Sequence, residues 1–230
     1  MTALLQAYVR LLRFGFYLLY NPFAFTYDLV ANVVSLGRWW AWQRAALNFL
    51  PPAGNNDILE VGHGTGHLLE TLHQRGYQPL ALDLSPNMGR IARRRLRQRG
   101  LAPRIVRGSV LHLPLPAHSL NAIVATFPTE YIIQTATIAE FRRVLRPGGR
   151  LVFVPAATLL GGGPVRGVIR LAFWLTGQSA SLAPTLDHLP GWARYAQAHY
   201  QQAGFTVQVE TVALADSRVW VVVAELASAA

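Results

Sequence analysis

The 230-residue sequence contains no cysteine and no lysine, and only 14% of its residues are charged. Without cysteine the chain can form neither disulfides nor thiolate metal sites, and it has no cysteine nucleophile. The absence of lysine excludes a Walker A phosphate loop. No apolar run reaches the roughly 20 residues that a membrane-spanning helix needs. We also expect no secretory signal, because the N-terminal apolar stretch contains arginines and lacks a cleavage site. The seven histidines suggest no metal site.

Apolar residues and positive charge are abundant instead. Apolar residues make up 52% of the chain, the net charge is +10, and arginine takes the place of lysine throughout. Such a chain favours anionic partners, which include membrane surfaces, nucleic acid and acidic ligands. The length predicts one domain with additions, which we divide into an N-terminal segment, 1–50, and a main domain, 51–230.

The stretch Asp57–Leu69, DILEVGHGTGHLL, organises the main domain. An apolar run predicts a buried strand, glycines then alternate with single residues, and leucines at helical spacing follow. Strand, glycine loop and helix form the arrangement that binds a nucleotide-like ligand at the carboxyl end of a sheet. The dinucleotide fingerprint does not fit, because its third glycine would fall on His67. An ordinary glycine-rich turn is the alternative.

Three motifs carry a family resemblance. Glu60 followed by alternating glycines resembles the first motif of class I S-adenosylmethionine (SAM) dependent methyltransferases. Residues 78–84, QPLALDL, predict a second strand ending in Asp83, and the DLSPNM sequence there resembles the second motif. The R-P-G-G turn at 146–149 resembles the turn that precedes the fifth strand of that family. The resemblance implies SAM as cofactor, S-adenosylhomocysteine as product, and no metal.

The resemblance also implies roles for individual residues. Glu60 would meet the cationic amino-acid end of SAM, Asp83 the ribose diol, and Leu84 and Met88 the adenine. Ser109 departs from the acidic residue that the family often has there, so its hydroxyl or the backbone of Val110 would replace that contact. The implied cofactor contacts are Glu60, Gly62, His63, Gly64, Gly66, Asp83, Leu84, Met88, Ser109, Val110 and Thr126.

The acceptor would bind where the loop 127–131 leaves the fourth strand. Glu130 and Tyr131 can orient an acceptor or take its proton, although Tyr131 can also simply pack and Glu130 can cap the next helix. The segment Phe25–Trp42 resembles the N-terminal region of ubiquinone/menaquinone-type methyltransferases, which covers the SAM pocket. We therefore take Tyr27, Glu130 and Tyr131 as candidate catalytic residues, and Phe127 and Tyr27 as candidate acceptor contacts.

Three segments have more than one interpretation. Residues 3–20 predict an amphipathic helix with a stripe of Gln6, Arg10 and Arg13, which suits either a lid or a membrane interface. Residues 156–190 form an apolar insertion that can enclose an acceptor, enter a membrane or pack on the core. Helix 86–99 carries six arginines, which either bind phosphates or form a solvated face.

The resemblance therefore implies a Rossmann-like, doubly wound α/β sheet of seven strands in the order 3-2-1-4-5-7-6, the last strand antiparallel. The predicted function is SAM-dependent methyl transfer to a small lipophilic acceptor, such as a quinone precursor or phospholipid amine, at or near a membrane surface. One alternative is methylation of a soluble metabolite or RNA, with nucleic acid the less favoured partner. The other is a non-catalytic membrane-binding module. We expect a cytoplasmic location, with peripheral attachment to the inner face of the membrane as an option; the oligomeric state is not predicted.

Overall fold

A computed structural model describes residues 22–54, 57–160 and 191–228, together with positions 10, 14, 15, 18 and 167. The predicted helix over 3–20 and the insertion beyond residue 160 therefore lie almost entirely outside the described residues. The described N-terminal part contains a 3-10 turn (Ala24–Thr26), helix α1 (Tyr27–Val34), helix α2 (Trp39–Arg44) and a 3-10 helix (Ala45–Phe49).

The described part of the chain forms one seven-stranded sheet in the order β3-β2-β1-β4-β5-β7-β6, which confirms the predicted order. Strands β1 to β5 pair in parallel, and β7 runs antiparallel to both β5 and β6. The strands are β1 (Ile58–Val61), β2 (Leu80–Asp83), β3 (Ile105–Arg107), β4 (Leu120–Thr126), β5 (Leu145–Leu159), β6 (Phe205–Leu214) and β7 (Ser217–Leu226).

Helices cover both faces of this sheet, because successive residues of a strand point to opposite sides. In β4, Ile123 packs in one hydrophobic cluster with Phe141 and Tyr200, while its neighbour Val124 packs in the other with Leu68. The helices that follow the first strands are α3 (His67–Gln74) and α4 (Pro86–Gln98); later come a 3-10 helix (Glu130–Ile133), α5 (Thr135–Val144) and α6 (Gly191–Gln202). The doubly wound arrangement is thereby confirmed.

The fifth strand differs from its prediction at both ends. The R-P-G-G residues lie inside β5 as an irregularity, since the pairing with β4 jumps from Leu120–Leu145 to Ala122–Arg150. At the other end, residues 156–159 still pair with β7, so the apolar insertion begins after Leu159 and not at 156. Strand β3 ends at Arg107 and leaves Ser109 and Val110 in the following loop.

Candidate active site

The loop between β1 and α3 depends on its three glycines. Gly62, Gly64 and Gly66 have φ angles of +67°, +53° and +84°, which residues with a side chain rarely adopt. A Cβ at Gly66 would lie 2.8 Å from the Cβ of Ala92, so this glycine allows α4 to pack directly against the loop. A Cβ at Gly64 would meet no atom within 4 Å. The loop is thus closed against α4 and open at Gly64.

Asp83 holds the open side of this loop from the end of β2. Its Oδ2 accepts a hydrogen bond of 3.0 Å from the backbone N–H of Gly64, and its Oδ1 accepts one of 2.8 Å from the N–H of Ser85. The Ser85 hydroxyl in turn accepts from the N–H of Met88 and begins α4. Each carboxylate oxygen keeps further lone pairs, so Asp83 can still accept hydrogen bonds from a ligand.

Glu60 and His63 carry buried atoms without a partner. Glu60 is only 1% exposed, and its Oε2 accepts no hydrogen bond. Nε2 of His63 is also buried without a hydrogen-bond partner. Burial, and then the nearby charge of Asp83, raise the pKa of Glu60 well above its usual value. Leaving such groups unpaired is costly in a folded protein. A cationic ligand beside Glu60 would remove this cost, so these residues fit a positively charged cofactor end.

Burial lowers the pKa of His63, although Asp83 and the carbonyl of Gly64 act in the opposite direction. The His63 Nδ1 lies 2.8 Å from that carbonyl and must donate to it. Nε2 of the neutral ring is then an acceptor facing the interior. His63 therefore lines the site as a fixed, neutral side chain.

The predicted adenine contacts differ in their exposure to solvent. Leu84 is 67% exposed beyond the end of β2, whereas Met88 has no exposed surface and packs in the core. The hydroxyl of Ser109 accepts a hydrogen bond of 3.2 Å from the N–H of Leu111, and Val110 is buried beside it. Leu84 is thus available to a ligand in this conformation, whereas Met88 is not.

Aromatic side chains gather where β4 ends. Phe127 has a φ of +49°, an uncommon backbone conformation for a non-glycine residue. Its ring stacks on Trp39 with the centroids 4.2 Å apart, and Tyr27 meets Trp39 edge-on at 6.3 Å. Thr126, just before Phe127, accepts a hydrogen bond of 3.2 Å from Gln43. The structure thus brings Tyr27 and Phe127 together through Trp39, which the sequence analysis did not name as a site residue.

Tyr131 lies beside the first glycine of the loop, whereas Glu130 does not. A Cβ on Gly62 would be 2.9 Å from the hydroxyl oxygen of Tyr131. Tyr131 therefore reaches from the loop after β4 to the loop after β1. Glu130 is exposed at the first position of its 3-10 helix, and the following helix is preceded by Gln134 rather than by Glu130.

Asp28 is the main residue that sequence reasoning missed. Its carboxylate accepts hydrogen bonds from the Thr65 hydroxyl (2.6 Å), His67 Nε2 (2.9 Å) and Arg95 Nη2 (2.7 Å). Trp40 stacks on the His67 ring, with the centroids 3.6 Å apart. We call this group the Asp28 clamp. It fastens α1 and α2 to the glycine loop and to α4; the Tyr27-Asp28 pair was its only signal in the sequence.

The hydrogen-bond partners in the clamp fix which ring nitrogen of His67 donates to Asp28. Arg95 can only donate, so the 3.2 Å contact between its Nη1 and His67 Nδ1 makes Nδ1 an acceptor. His67 therefore donates from Nε2 to Asp28. Burial alone would raise the pKa of Asp28, but the hydrogen bonds from His67 and Thr65, with the charge of Arg95, hold that pKa below its usual value.

Within the described ranges, no three acidic or histidine side chains are arranged to hold a metal ion. In the same ranges, no helix is both long enough and apolar enough to cross a bilayer.

Comparison with known proteins agrees with this geometry. A family model described as "Methyltransferase domain" matches residues 58–149. Demethylmenaquinone methyltransferase from Thermus thermophilus is 33% identical over 137 residues, which are 58% of this chain and 62% of that protein. The enzyme of the same name from Deinococcus radiodurans is 35% identical over 154 residues, 64% of this chain and 62% of that protein. The chain thus matches about three fifths of the length of these relatives.

The fold has counterparts among solved structures. The crystal structure of a SAM-dependent methyltransferase from Aquifex aeolicus superposes with a TM-score of 0.58 and 16% sequence identity, covering 82% of this chain and 92% of that one. At that identity the likeness concerns the fold alone.

Proposed function

We propose that this chain, whose residues 58–149 match a methyltransferase domain, transfers a methyl group from SAM to a small lipophilic acceptor, a quinone precursor, at or near a membrane surface. The observation that carries the proposal is the buried carboxyl of Glu60, whose Oε2 has no partner, close to Asp83 and the open Gly64. The relatives named demethylmenaquinone methyltransferase support a quinone precursor as acceptor.

The cofactor half of the site would hold SAM through residues already arranged for it. Glu60 would pair with the cationic amino-acid end, and Asp83 would accept hydrogen bonds from the ribose diol. Gly64 leaves room for close approach of the ligand to the backbone. SAM supplies a methyl group that the sulfonium has already activated. The chain therefore has mainly to align the two reactants and to exclude water.

The acceptor half is suited to a flat apolar molecule. Trp39, Phe127 and Tyr27 present stacked and edge-on rings at the carboxyl end of β4. Aromatic faces of this kind bind planar rings by offset stacking. The Tyr131 hydroxyl, beside Gly62, is the polar group that we assign to orient the acceptor oxygen or to receive its proton. Glu130 stays a candidate for the same task from the exposed end of the loop.

Methyl-labelled SAM distinguishes the proposed reaction from its alternatives. The protein is incubated with the reduced (quinol) form of demethylmenaquinone in detergent micelles, or with host cell extract, and the label is partitioned between organic and aqueous phases. We expect label in the organic phase. Label in the aqueous phase would contradict the lipophilic acceptor, and no transfer with either acceptor source would contradict the activity.

Asp83→Ala tests the cofactor site separately by calorimetric titration with SAM. Loss of two charge-assisted hydrogen bonds predicts roughly 100-fold weaker binding. Asp57→Ala is the control, because Asp57 pairs with Arg146 at the opposite end of β1. Unchanged SAM affinity in Asp83→Ala would overturn the ribose assignment.

A further inference from the structure

Three arginines form an unpaired cationic face on α4. Arg90, Arg94 and Arg97 are exposed and spaced so that they share one side of the helix, opposite the buried Ala92 and Leu96. Among the described residues none of the three forms an ion pair with a carboxylate, although Arg95 and Arg99 on the other side do. With Arg93 and Gln98, the three line a shallow groove of about 420 Å³. We call Arg90, Arg94 and Arg97 the arginine face.

An exposed apolar surface lies on the N-terminal elements. Phe25 is 74% exposed and Leu29 66% exposed, and Phe23, Val30 and Val33 are exposed as well. Large apolar side chains that cluster on a surface mark an interaction site more often than single ones do. We call this set the apolar ridge; it consists of Phe23, Phe25, Leu29, Val30 and Val33.

The apolar ridge and the arginine face belong to neighbouring elements. The 3-10 turn Ala24–Thr26, which lies between Phe23 and Tyr27, packs against α4. The bond of 2.7 Å between Asp28 and Arg95 fastens the start of α1 to the same helix. Because Asp28 and Glu70 already pair with Arg95 and Arg99, their negative charges do not neutralise the arginine face.

We propose that the apolar ridge and the arginine face together dock the protein on an anionic lipid bilayer. Arginine binds lipid phosphates through paired hydrogen bonds, while the ridge side chains insert at the boundary between head groups and acyl chains. Nucleic acid fits less well: Phe23 and Phe25 supply rings on which bases could stack, but Leu29, Val30 and Val33 are aliphatic and offer none. The net charge of +10 acts in the same direction.

This docking would place the acceptor half of the site next to the lipid phase. Helix α1 carries the ridge residues Leu29, Val30 and Val33, and it also carries Tyr27 of the aromatic wall. A lipophilic acceptor could then move from the bilayer to Trp39 and Phe127 without crossing bulk water. The inference deepens the proposed function and rests on it only in this last step.

Vesicle sedimentation with the full chain, without SAM or acceptor, tests the docking. We expect binding to vesicles of phosphatidylglycerol and phosphatidylcholine that weakens with added salt, and little binding to phosphatidylcholine alone. Replacing both Arg94 and Arg97 by Gln should weaken binding to the anionic vesicles roughly tenfold. The matched control replaces Arg142 and Arg194, which are exposed on α5 and α6, and should bind like the original chain.

Phe25→Ala tests the apolar contribution, with Tyr195→Ala on α6 as its control. We expect Phe25→Ala to weaken vesicle binding several-fold and Tyr195→Ala to leave it unchanged. Equal losses in the test and control variants would show that net charge or overall hydrophobicity drives the binding. That result would overturn the proposed docking surface. Binding of labelled RNA, sensitive to Arg94 and Arg97 and without vesicle binding, would overturn the lipid partner. Methyl transfer in detergent micelles is measured in parallel, so that a failed docking surface and a failed enzyme assignment give different results.

Discussion

The cofactor half and the acceptor half of the site are built in different ways. In the cofactor half, Glu60, Gly64 and Asp83 lie in two short segments at the ends of adjacent strands, and backbone hydrogen bonds fix them. In the acceptor half, Tyr27 and Trp39 come from the N-terminal segment and Phe127, 88 residues after Trp39, from the loop after β4, and ring packing brings them together. The first half is a property of local backbone geometry; the second is a property of the tertiary fold.

This difference explains how one scaffold can serve many acceptors. The cofactor half depends on torsion angles and carboxylates that tolerate little change. The acceptor half consists of side chains from α1, α2 and the loop after β4, which can be exchanged without disturbing the sheet. The Asp28 clamp is the physical connection between the two halves, because it joins α1 to Thr65 of the glycine loop and to His67, the first residue of α3.

The largest stability effect is expected within the cofactor half, at Gly66. In Gly66→Ala the new Cβ would lie 2.8 Å from the Cβ and 3.1 Å from the Cα of Ala92, and φ is +84°. Left-handed strain of about 1–2 kcal/mol and overpacking of about 1–3 kcal/mol predict a loss of unfolding free energy of about 2–5 kcal/mol. Urea denaturation measures this loss.

Gly64→Ala separates the loop's shape from its role in binding. Its Cβ meets nothing in the protein, so only the strain of about 1–2 kcal/mol at φ +53° should reduce stability. SAM affinity should nevertheless fall at least tenfold, because the Cβ occupies the space left for the ligand. Gly100→Ala is the control, with φ +70° and open surroundings at the end of α4. Unimpaired SAM binding in Gly64→Ala would place the ligand elsewhere.

The difference between the halves also explains what the sequence could predict. The glycine loop and Asp83 follow from short patterns, and the strand order, which the family resemblance implied, is confirmed. The stacking of Phe127 on Trp39 could not be predicted, because it depends on how α2 packs across the sheet. Asp28 was visible only as a neighbour of Tyr27; its three partners lie 37, 39 and 67 residues away.

Arginines on α4 illustrate the same limit. The sequence analysis treated the arginines of helix 86–99 as one group, either bound to phosphates or solvated. In the structure Arg95 belongs to the Asp28 clamp, and Arg93 donates to the carbonyl of Ile105. Arg90, Arg94 and Arg97 alone form the outward face. Helical periodicity predicts which residues share a face, but it does not say which neighbour each face meets.

The connection between the halves can be broken at Asp28. In Asp28→Asn the carboxylate that accepts from Thr65, His67 and Arg95 loses its charge. We expect a loss of about 1–3 kcal/mol in unfolding free energy. Because the folded pKa of Asp28 is depressed, its stabilisation is present above the unfolded pKa and is lost as pH falls through the folded pKa. The variant should therefore be less sensitive to acid than the original chain, as thermal unfolding between pH 3 and 7 (about the titration range of a carboxyl) can show.

Asp216→Asn is a suitable comparison for the clamp. Asp216 pairs with Arg38 by two hydrogen bonds of 2.8 and 2.9 Å, also between the N-terminal segment and the sheet, but away from the glycine loop. Only Asp28→Asn should weaken SAM binding, by several-fold. If both variants changed SAM affinity equally, the clamp would be a general anchor rather than a link to the cofactor half.

The smallest effect, and one of opposite sign, is expected at Glu60. The folded pKa of this buried carboxyl lies above its unfolded value of 4.5, so the folded state holds the proton more tightly, and stability is lost as pH rises through the folded pKa. Glu60→Gln cannot titrate; its melting temperature should exceed that of the original chain by a few degrees at neutral pH and by less in acid. SAM affinity should fall and lose its pH dependence, because a cationic ligand binds the ionised carboxylate. In Glu140→Gln the effect on the melting temperature should have the opposite sign, because the hydrogen bond from Arg143 outweighs burial and lowers the pKa of Glu140. A Glu60→Gln protein that is less stable yet binds SAM normally would show that the buried carboxyl serves the fold and not the cofactor.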